Sequence, residues 1–408
     1  MSDDIVVMLW PATAAAAAND TDCAPPSAAR LIPADYDRLQ APFSAGRPLT
    51  VHLSVWVSAV TSVNELQQEF SVALYLRLKW RDHRVTFPRC RREAFVLIEA
   101  AALDRLWLPD IYFGGEKRAA RHAVVRRNAA LRLNRIDSSL YLSERLSLAI
   151  MCSYDFQLFP MDLQVCMMNM EPYAHDKQFI DLSFEQPGIY FNNFKFRIPQ
   201  FRLTRVVPGN CSYTYIYQGT TLRQSCVRAA FFFERTFNYY LLQIYVPSVL
   251  IVIISFLGFF VPVNLVPGRI ALSITTLLTL ATQSQALQKS LPPVSYMKAS
   301  DVWMFACILS VFATLLEFTL SYRHYERRQR AAARVGPVEC ATRLGSSGGR
   351  HLCMRRRFLL AARSPHFVDS MAKVIFPAAF TLFNVVYWLY FLDMRERRHR
   401  YDTRHYIA

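Results

Sequence analysis

One face of an apolar segment in the second half of the chain carries side chains suited to contact with water and ions. Its members recur at steps of three or four residues, which places them on one side of a helix. They are Ala271, Thr275, Leu278, Thr282 and Lys289, with Gln285 or Ala286 in the last interval. A ring of several such faces would enclose a wet pore with a hydrophobic constriction at Leu278. The alternative is a helix-packing face, because hydroxylated residues are common between membrane helices.

Charge at the two ends of this segment bears on which ions such a pore would favour. Pro267 and Arg269 stand at one end and Lys289 at the other, and no carboxylate lies between Val261 and Ser300. A cation pore is expected to carry an acidic ring. The segment therefore favours anions. The alternative for Arg269 is an anchor that reaches the lipid headgroups.

Four long apolar runs in the second half of the chain place these residues in a membrane. The chain has 408 residues, of which 53% are hydrophobic, and a net charge of +16. The runs are Tyr239–Val263, Ile270–Ala286, Asp301–Tyr322 and Met371–Leu392. Each is long enough to cross a bilayer, which takes about 17–25 residues. The sequence therefore predicts an integral membrane protein with lipid around its spans.

The distribution of arginine predicts how the spans are oriented. Arg323–Arg363 contains eleven arginines and two glutamates, which indicates a cytoplasmic loop. The first half of the chain then lies outside, and four spans place the C-terminus outside as well. The tail contradicts the charge rule, and we give span counting more weight. Its basic residues are Arg395, Arg397, Arg398 and Arg400.

The first half of the chain has the alternation of strands with one buried face. Val51, Leu53, Val55 and Val57 alternate with more polar residues, and a second alternating run covers Phe70–Trp80. This pattern predicts a β-sandwich. Within it, Tyr75 and Arg77 share the polar face of one strand, as Ser143 and Arg145 share a face of another.

The nine cysteines divide by compartment. Those of the extracellular half are expected to form disulfides. They are Cys152, Cys166, Cys211 and Cys226; Cys23 and Cys90 are left over on the same side, and whether these two pair with each other stays open. Cys307 is expected in an apolar core, whereas Cys340 and Cys353 fall in the cytosolic loop and stay reduced. Asn210 lies in a glycosylation sequon, and Asn19 lies in another beside a possible signal-peptide cleavage site.

The basic charge, the histidines and the polar groups favour no other class of function. No nucleic-acid recognition motif accompanies the arginines, so nucleic acid is not an expected partner. We find no nucleophile–base arrangement and no metal-ligand cluster in the sequence, so we expect neither an enzyme nor a cofactor.

One loop of the chain resembles the signature of a known receptor family. Cys152 and Cys166 enclose thirteen residues that include Phe159-Pro160-Met161-Asp162. This loop resembles that of the Cys-loop receptors, which are pentameric ligand-gated ion channels. Pro267–Leu278 and Leu291–Lys298 are similar to the pore helix and gating loop of the glycine-, GABA- and glutamate-gated chloride branch. Gly268 and Pro293 depart from that pattern.

The resemblance implies two disulfides, Cys152–Cys166 and Cys211–Cys226, the second as in invertebrate chloride receptors. It also implies a pentamer with ligands bound between neighbouring extracellular domains. The principal face would offer Tyr112, Glu171, Tyr173 and one or more of Tyr213, Tyr215 and Tyr217, of which we favour Tyr215 and Tyr217. The complementary face would offer Tyr75, Arg77, Ser143 and Arg145. Aromatic rings attract an ammonium group and arginines bind a carboxylate, so an amino-acid-type ligand is expected.

The expected fold class is α+β, with an extracellular immunoglobulin-like β-sandwich followed by a four-helix transmembrane bundle in a homo- or heteropentamer. The expected segments are a signal peptide or poorly ordered N-terminus at 1–22, the ligand-binding domain at 23–236, three spans within 237–322, a cytoplasmic loop at 323–370, the fourth span at 371–392 and an extracellular tail at 393–408.

The expected function is that of a subunit of a ligand-gated chloride channel in the plasma membrane, at a synapse. The alternatives are a non-conducting or obligate partner subunit, a cation channel, and a chloride channel opened by protons, zinc or histamine. Histidine can accept a proton near neutral pH or bind a metal, which keeps the last group of triggers open.

Overall fold

The computed structural model describes residues 31–43, 46–87, 93–98, 100–191, 198–262, 265–334 and 366–407. The predictions for the segment 1–22, for Asn19, for a Cys23–Cys90 pair and for Cys340 and Cys353 lie outside these residues.

The first part of the described chain is built from strands, which continue as far as Arg235. In chain order they are β1 Leu49–Asn64, β2 Glu69–Arg81, β3 Phe95–Ile98, β4 Ile111–Gly114, β5 Glu116–Arg121, β6 Ala129–Asn134, β7 Ser139–Met151, β8 Leu163–Pro172, β9 Ile180–Phe191, β10 Phe201–Asn210, β11 Tyr213–Tyr217, β12 Thr220–Gln224 and β13 Val227–Arg235. A short 3₁₀ turn at Ala100–Arg105 separates β3 from β4.

Two sheets and a hairpin account for these strands. The larger sheet has the order β3-β6-β7-β2-β1-β9, with β5 paired to β7, and the smaller has the order β10-β13-β8-β4. β11 and β12 form the separate hairpin. The alternation in β1 determines which face of the larger sheet packs in the core, since Val51, Leu53, Val55 and Val57 are all buried there. Phe70 of the larger sheet meets Phe231 of the smaller one with ring centroids 5.2 Å apart.

Four long helices follow the sandwich. They are α1 Phe237–Phe260, α2 Val266–Lys289, α3 Ala299–Arg334 and α4 His366–Ile407. Each contains a stretch long and apolar enough to cross a bilayer. The predicted fold class, a β-sandwich followed by four apolar helices, is confirmed.

Pro247 explains an irregularity in α1 and a contact with α2. Leu241–Tyr245 forms a turn of π-helix just before this proline. Proline has no N–H, so the carbonyl four residues earlier, at Gln243, lacks its usual α-helical hydrogen bond. The side-chain amide of Gln283 donates to that carbonyl and to the carbonyl of Ile244, both at 3.2 Å. The outer half of α2 is thereby tied to α1.

α3 and α4 extend beyond the apolar runs that predicted them. α3 continues to Arg334 and α4 to Ile407, so part of the expected loop and most of the expected tail are helical. The tail's basic residues have acidic partners: Arg395 lies 2.6 Å from Glu234 and Arg398 lies 2.5 Å from Asp155. Both acids belong to the sandwich domain, which explains how a basic tail can stand on that side.

Candidate functional site

A buried carboxylate forms the floor of a group of tyrosines on the smaller sheet. Tyr112 of β4 lies opposite Glu171 of β8 in the strand register. The Tyr112 hydroxyl donates to Glu171 Oε2 at 2.9 Å, and the Tyr213 hydroxyl donates to the same oxygen at 3.2 Å. The Glu171 residue is only 5% exposed. Its negative charge therefore stands behind aromatic rings that remain open to solvent.

Two further tyrosines extend this group outward. The Tyr173 ring meets that of Tyr112 edge-on at 5.9 Å, and Tyr173 is 80% exposed. Tyr215 lies 6.0 Å from Tyr213 along the same side of β11. We call Glu171, Tyr112, Tyr173, Tyr213 and Tyr215 the acidic aromatic cluster. Such a cluster attracts a cation both by its charge and by the negative faces of its rings.

The carboxylate keeps its tyrosine partners protonated. Burial, together with the hydrogen bond to Glu171 and its charge, raises the pKa of Tyr112 to about 12. The pKa of Tyr213 is also raised by burial and by Glu171. Both phenols are therefore neutral hydrogen-bond donors near neutral pH.

The β11–β12 hairpin is anchored to the strand that carries Glu171. A disulfide joins Cys211 to Cys226 at its base, with Cα atoms 4.9 Å apart. The Gln224 side chain donates to the carbonyl of Pro172 at 2.6 Å. These contacts hold Tyr213 at the cluster, whereas Tyr217 lies near the hairpin tip, paired in register with Thr220.

A second group of polar side chains lies on the larger sheet. In the register of β2 and β7, Tyr75 stands opposite Arg145 and Arg77 opposite Ser143. All four side chains are partly exposed on the same face. The Arg77 guanidinium lies over the ring of Trp56 at 5.1 Å, and the Nε of Arg145 has no hydrogen-bond partner within the described residues. Two arginines, a phenol and a hydroxyl here could bind a carboxylate.

The helix α2 exposes the face that its spacing predicted. Arg269, Ser273, Thr276, Leu280 and Leu287 are its buried residues. The exposed positions include Ala271, Thr275, Leu278, Thr282, Gln285, Ala286 and Lys289. Leu278 is 63% exposed in the single chain. This face is free for contact with water or with another copy.

Arg269 does not project from this face, although Pro267 beside it is exposed. Arg269 is 2% exposed, and its guanidinium donates to the carbonyl of Val261 and lies over the Phe318 ring at 5.6 Å. The carbonyls near the end of α1 attract the cation because they lack helical partners. The sequence predicted that the Arg269 side chain lies at the pore mouth, or alternatively at the lipid headgroups. In the structure it is instead buried among the helices of its own chain.

If this face lines a pore with its constriction at Leu278, Leu278→Thr should make the pore open more easily, because a hydroxyl there favours water over a dewetted gap. The half-maximal agonist concentration should fall about tenfold or more, which corresponds to about 1.4 kcal/mol, and a standing current should appear without agonist. Voltage clamp of expressed channels measures both. Leu382→Thr is the matched control, since Leu382 is 66% exposed on α4. An equal effect of Leu278→Thr and Leu382→Thr would contradict the assignment of Leu278 to the constriction of the pore.

A junction connects the sandwich to the helices. The Cys152–Cys166 loop accepts a hydrogen bond at Gln157 O from the N–H of Ala299, at 2.9 Å, and Phe156 N–H donates to the hydroxyl of Tyr296 at 2.9 Å. The segment between α2 and α3 and the first residue of α3 thus contact this loop directly.

A charged cluster is buried beside the junction. The Arg235 guanidinium bonds Asp162 through Nε at 2.6 Å and through Nη2 at 2.9 Å, and it also forms an ion pair with Glu65. The rings of Phe159, Phe201 and Tyr240 surround the guanidinium. Burial alone would lower the pKa of Arg235, but the two carboxylates hold it above its usual value.

An extracellular-type sandwich joined to four apolar helices, one of them with a hydroxylated outward face, defines a membrane receptor with its own pore. The model of the neurotransmitter-gated ion-channel ligand binding domain matches residues 28–237, and that of the neurotransmitter-gated ion-channel transmembrane region matches residues 244–344. The chain belongs to the neurotransmitter-gated ion-channel family. It is a subunit of a ligand-gated channel in a membrane, and the family implies pentameric assembly.

Several residues of the candidate sites were not found from the sequence. Tyr213 was left open because alternation along a hairpin cannot say which tyrosine reaches the carboxylate. Trp56 and Glu65 gave no signal in their own segments, since their partners come from distant strands. The register of β1 with β2, which places Trp56 opposite Tyr75, would have indicated Trp56.

Proposed function

We propose that this chain is a subunit of a chloride channel opened by an amino-acid-type molecule that binds between neighbouring extracellular domains. The observation that carries the proposal is the acidic aromatic cluster around Glu171. Its partners in the site would be the arginines near Tyr75, supplied by the adjacent subunit. The channel would act in the plasma membrane, as at a synapse, with a glycan on the exposed Asn210.

The two groups fit the two ends of a zwitterion. Glu171 and its tyrosines suit an ammonium group, and Arg77 and Arg145 suit a carboxylate. The first group lies on the smaller sheet and the second on the larger one. In a ring of subunits, the smaller sheet of one copy would face the larger sheet of its neighbour. A ligand bridging them would bring the two domains closer.

Selectivity for anions is supported by charge along α2. The exposed face from Ala271 to Lys289 carries no carboxylate, and Lys289 is exposed at its end. The charge of Arg269 lies in the first turn even though its side chain is turned inward. The potential at both ends would therefore favour chloride over sodium.

Opening would pass through the junction. Closure of the β11–β12 hairpin over a ligand would move the sandwich, and the Cys152–Cys166 loop would press on Tyr296 and Ala299, at the start of α3. The α2 helices would then tilt and widen the ring of Leu278. A ligand produces this shift only to the extent that it binds the open state more tightly.

Currents from cells that express the chain test the proposal. Glutamate, GABA, glycine, histamine, acid and zinc are applied in turn, with the chain alone and with relatives. A tenfold reduction of external chloride should shift the reversal potential by about 59 mV. A potential that follows sodium would overturn anion selectivity. Current only in mixtures would assign the chain as an obligate partner, and silence in all would indicate a non-conducting subunit.

Protons are a second candidate trigger, favoured by one contact. His175 Nδ1 lies 3.7 Å from Asp110 Oδ1, and neither atom has a hydrogen-bond partner within the described residues. Asp110 also accepts from the N–H of Ala174 at 2.7 Å, next to Tyr173. The rings of Phe43 and Phe179 pack on His175. Protonation of the imidazole would strengthen its attraction to Asp110 and hold the Tyr173 loop in place.

We expect His175→Gln to remove part of the pH dependence of gating, because a glutamine cannot form the ion pair with Asp110 that a protonated imidazole would form. The neighbouring Lys177 is paired with Asp181 at 3.1 Å and not with Asp110. The agonist or proton response is measured at each pH. His122→Gln is the control, since His122 bonds Ser147 at 2.7 Å instead. Equal pH dependence in both variants and the wild type would reject this role.

A further inference from the structure

A cavity of about 440 Å³ opens at the end of the sandwich where β1 begins and β2 ends. This is the end away from the helices, because the opposite turn between β1 and β2 carries Glu65, which meets Arg235 near α1. Pro42 and Pro48 are among its lining residues. The volume lies within the range of ligand pockets, about 300–1,000 Å³.

The lining of this cavity is strongly basic. It includes Arg47, Lys79, Arg81, His52 and His83, with Asp137 as the acidic member of the lining. Ordinary ligand pockets are mainly apolar. Three permanent positive charges around one space attract anions and repel one another.

The single carboxylate is already engaged. Asp137 lies 3.3 Å from Lys79, and it accepts hydrogen bonds from the hydroxyl and N–H of Ser139 at 2.7 and 3.1 Å. Outside the lining, Asp181 stands opposite Thr50 in the strand register and is paired with Lys177. Neither carboxylate is available to neutralise the arginines.

The other basic groups of the lining have no acidic partner among the residues that the structure describes. The side chains of Arg47, Arg81 and His83 form no ion pair or hydrogen bond with any of these residues. His52 bonds Ser183 through Nδ1 at 2.8 Å, which leaves Nε2 for other contacts. The guanidinium groups of Arg47 and Arg81 thus retain their full capacity for bidentate contacts with oxyanions.

We propose that this cavity binds a small molecule with two or more oxyanionic groups, held chiefly by Arg47 and Arg81 with Lys79 beside them. The site is separate from the acidic aromatic cluster and does not depend on which agonist opens the channel. Because Lys79 and Arg77 lie on the same face of β2, a bound anion would stand next to the arginines of the larger sheet.

Calorimetric titration of the purified full-length protein in detergent tests this site. Citrate, inorganic phosphate and acetate serve as probes at constant ionic strength. Citrate should bind with a dissociation constant on the order of 1 mM or lower. Acetate should bind about tenfold more weakly or worse, since it has one carboxylate. Phosphate binding with citrate binding supports a general oxyanion site, whereas citrate alone restricts the class to polycarboxylates and phosphate alone restricts it to phosphate-like groups.

Arg81→Gln and Arg47→Gln should each weaken citrate binding about tenfold, whereas Arg81→Lys keeps the charge but loses the bidentate contact and should be intermediate. Arg126→Gln removes the same charge from an exposed arginine outside the cavity lining and should change the affinity less than about twofold. Equal thermal unfolding of the variants shows that they fold. Absence of citrate and phosphate binding by the wild type, or an equal loss in Arg126→Gln and Arg81→Gln, overturns the proposal.

Discussion

Arg235→Met is expected to abolish surface expression of the channel. The change leaves Asp162 and Glu65 buried without their cation, and both carboxylates are almost inaccessible to solvent. Loss of one partner from a buried ion pair costs about 3–5 kcal/mol. That is a large part of the stability of a typical domain, about 5–15 kcal/mol. Surface biotinylation and size-exclusion chromatography of the detergent-solubilised protein measure the outcome.

Three further variants make this result specific. Arg121→Met removes an arginine that is 69% exposed and lies 3.6 Å from Glu144, so expression should be nearly unchanged. Arg235→Lys keeps the charge but loses the two-pronged contact with Asp162, and should be intermediate. Adding Asp162→Asn and Glu65→Gln to Arg235→Met should restore part of the expression, because no unpaired charge remains buried. Normal expression of Arg235→Met alone would contradict the prediction.

The fold was predictable because its patterns are local. Alternation along β1 and β2 and four apolar runs each depend on neighbouring residues, and both are reproduced in the structure. The ends of the helices were less predictable. Charged residues after Leu392 indicated a tail, yet α4 continues because Arg397 and Arg400 pair with Asp393 and Glu396 one turn earlier.

The direction of long side chains was the least predictable property. Helical spacing placed Arg269 near the end of α2, but it could not decide between the lumen, the headgroups and the chain's own bundle. The free carbonyls at the end of α1 decide this, and their position depends on the tertiary fold. The same limit applies to Arg395 and Arg398, whose partners lie more than a hundred residues away in the sequence.

The acidic aromatic cluster was predictable in composition and not in geometry. Resemblance to known receptors indicated Tyr112, Glu171 and Tyr173, and the strand register then places Tyr112 opposite Glu171. That Tyr213 shares the same oxygen depends on how the hairpin folds back, which no local pattern encodes. Only the structure therefore shows that the Glu171 carboxylate lies behind the tyrosine rings.

Glu171→Gln is expected to raise the half-maximal agonist concentration by at least about thirtyfold, or about 2 kcal/mol, because a buried charge contact is lost. Glutamine has the same shape and still offers an oxygen to the hydroxyls of Tyr112 and Tyr213. The substitution thus removes the charge while preserving the packing. Dose–response curves are recorded with whichever amino-acid agonist opens the wild-type channel.

Two comparisons separate the charge of Glu171 from its structural role. Tyr112→Phe removes one donor to the carboxylate and keeps the ring, so it should shift the curve by less than Glu171→Gln does. Glu116→Gln removes an exposed carboxylate on β5 and should leave the curve unchanged. For an agonist that lacks an ammonium group, the half-maximal concentration should be the same in Glu171→Gln and in the wild type. If Glu171→Gln responds like Glu116→Gln at equal surface expression, the ligand does not contact this carboxylate, because its charge is the one property that the substitution removes.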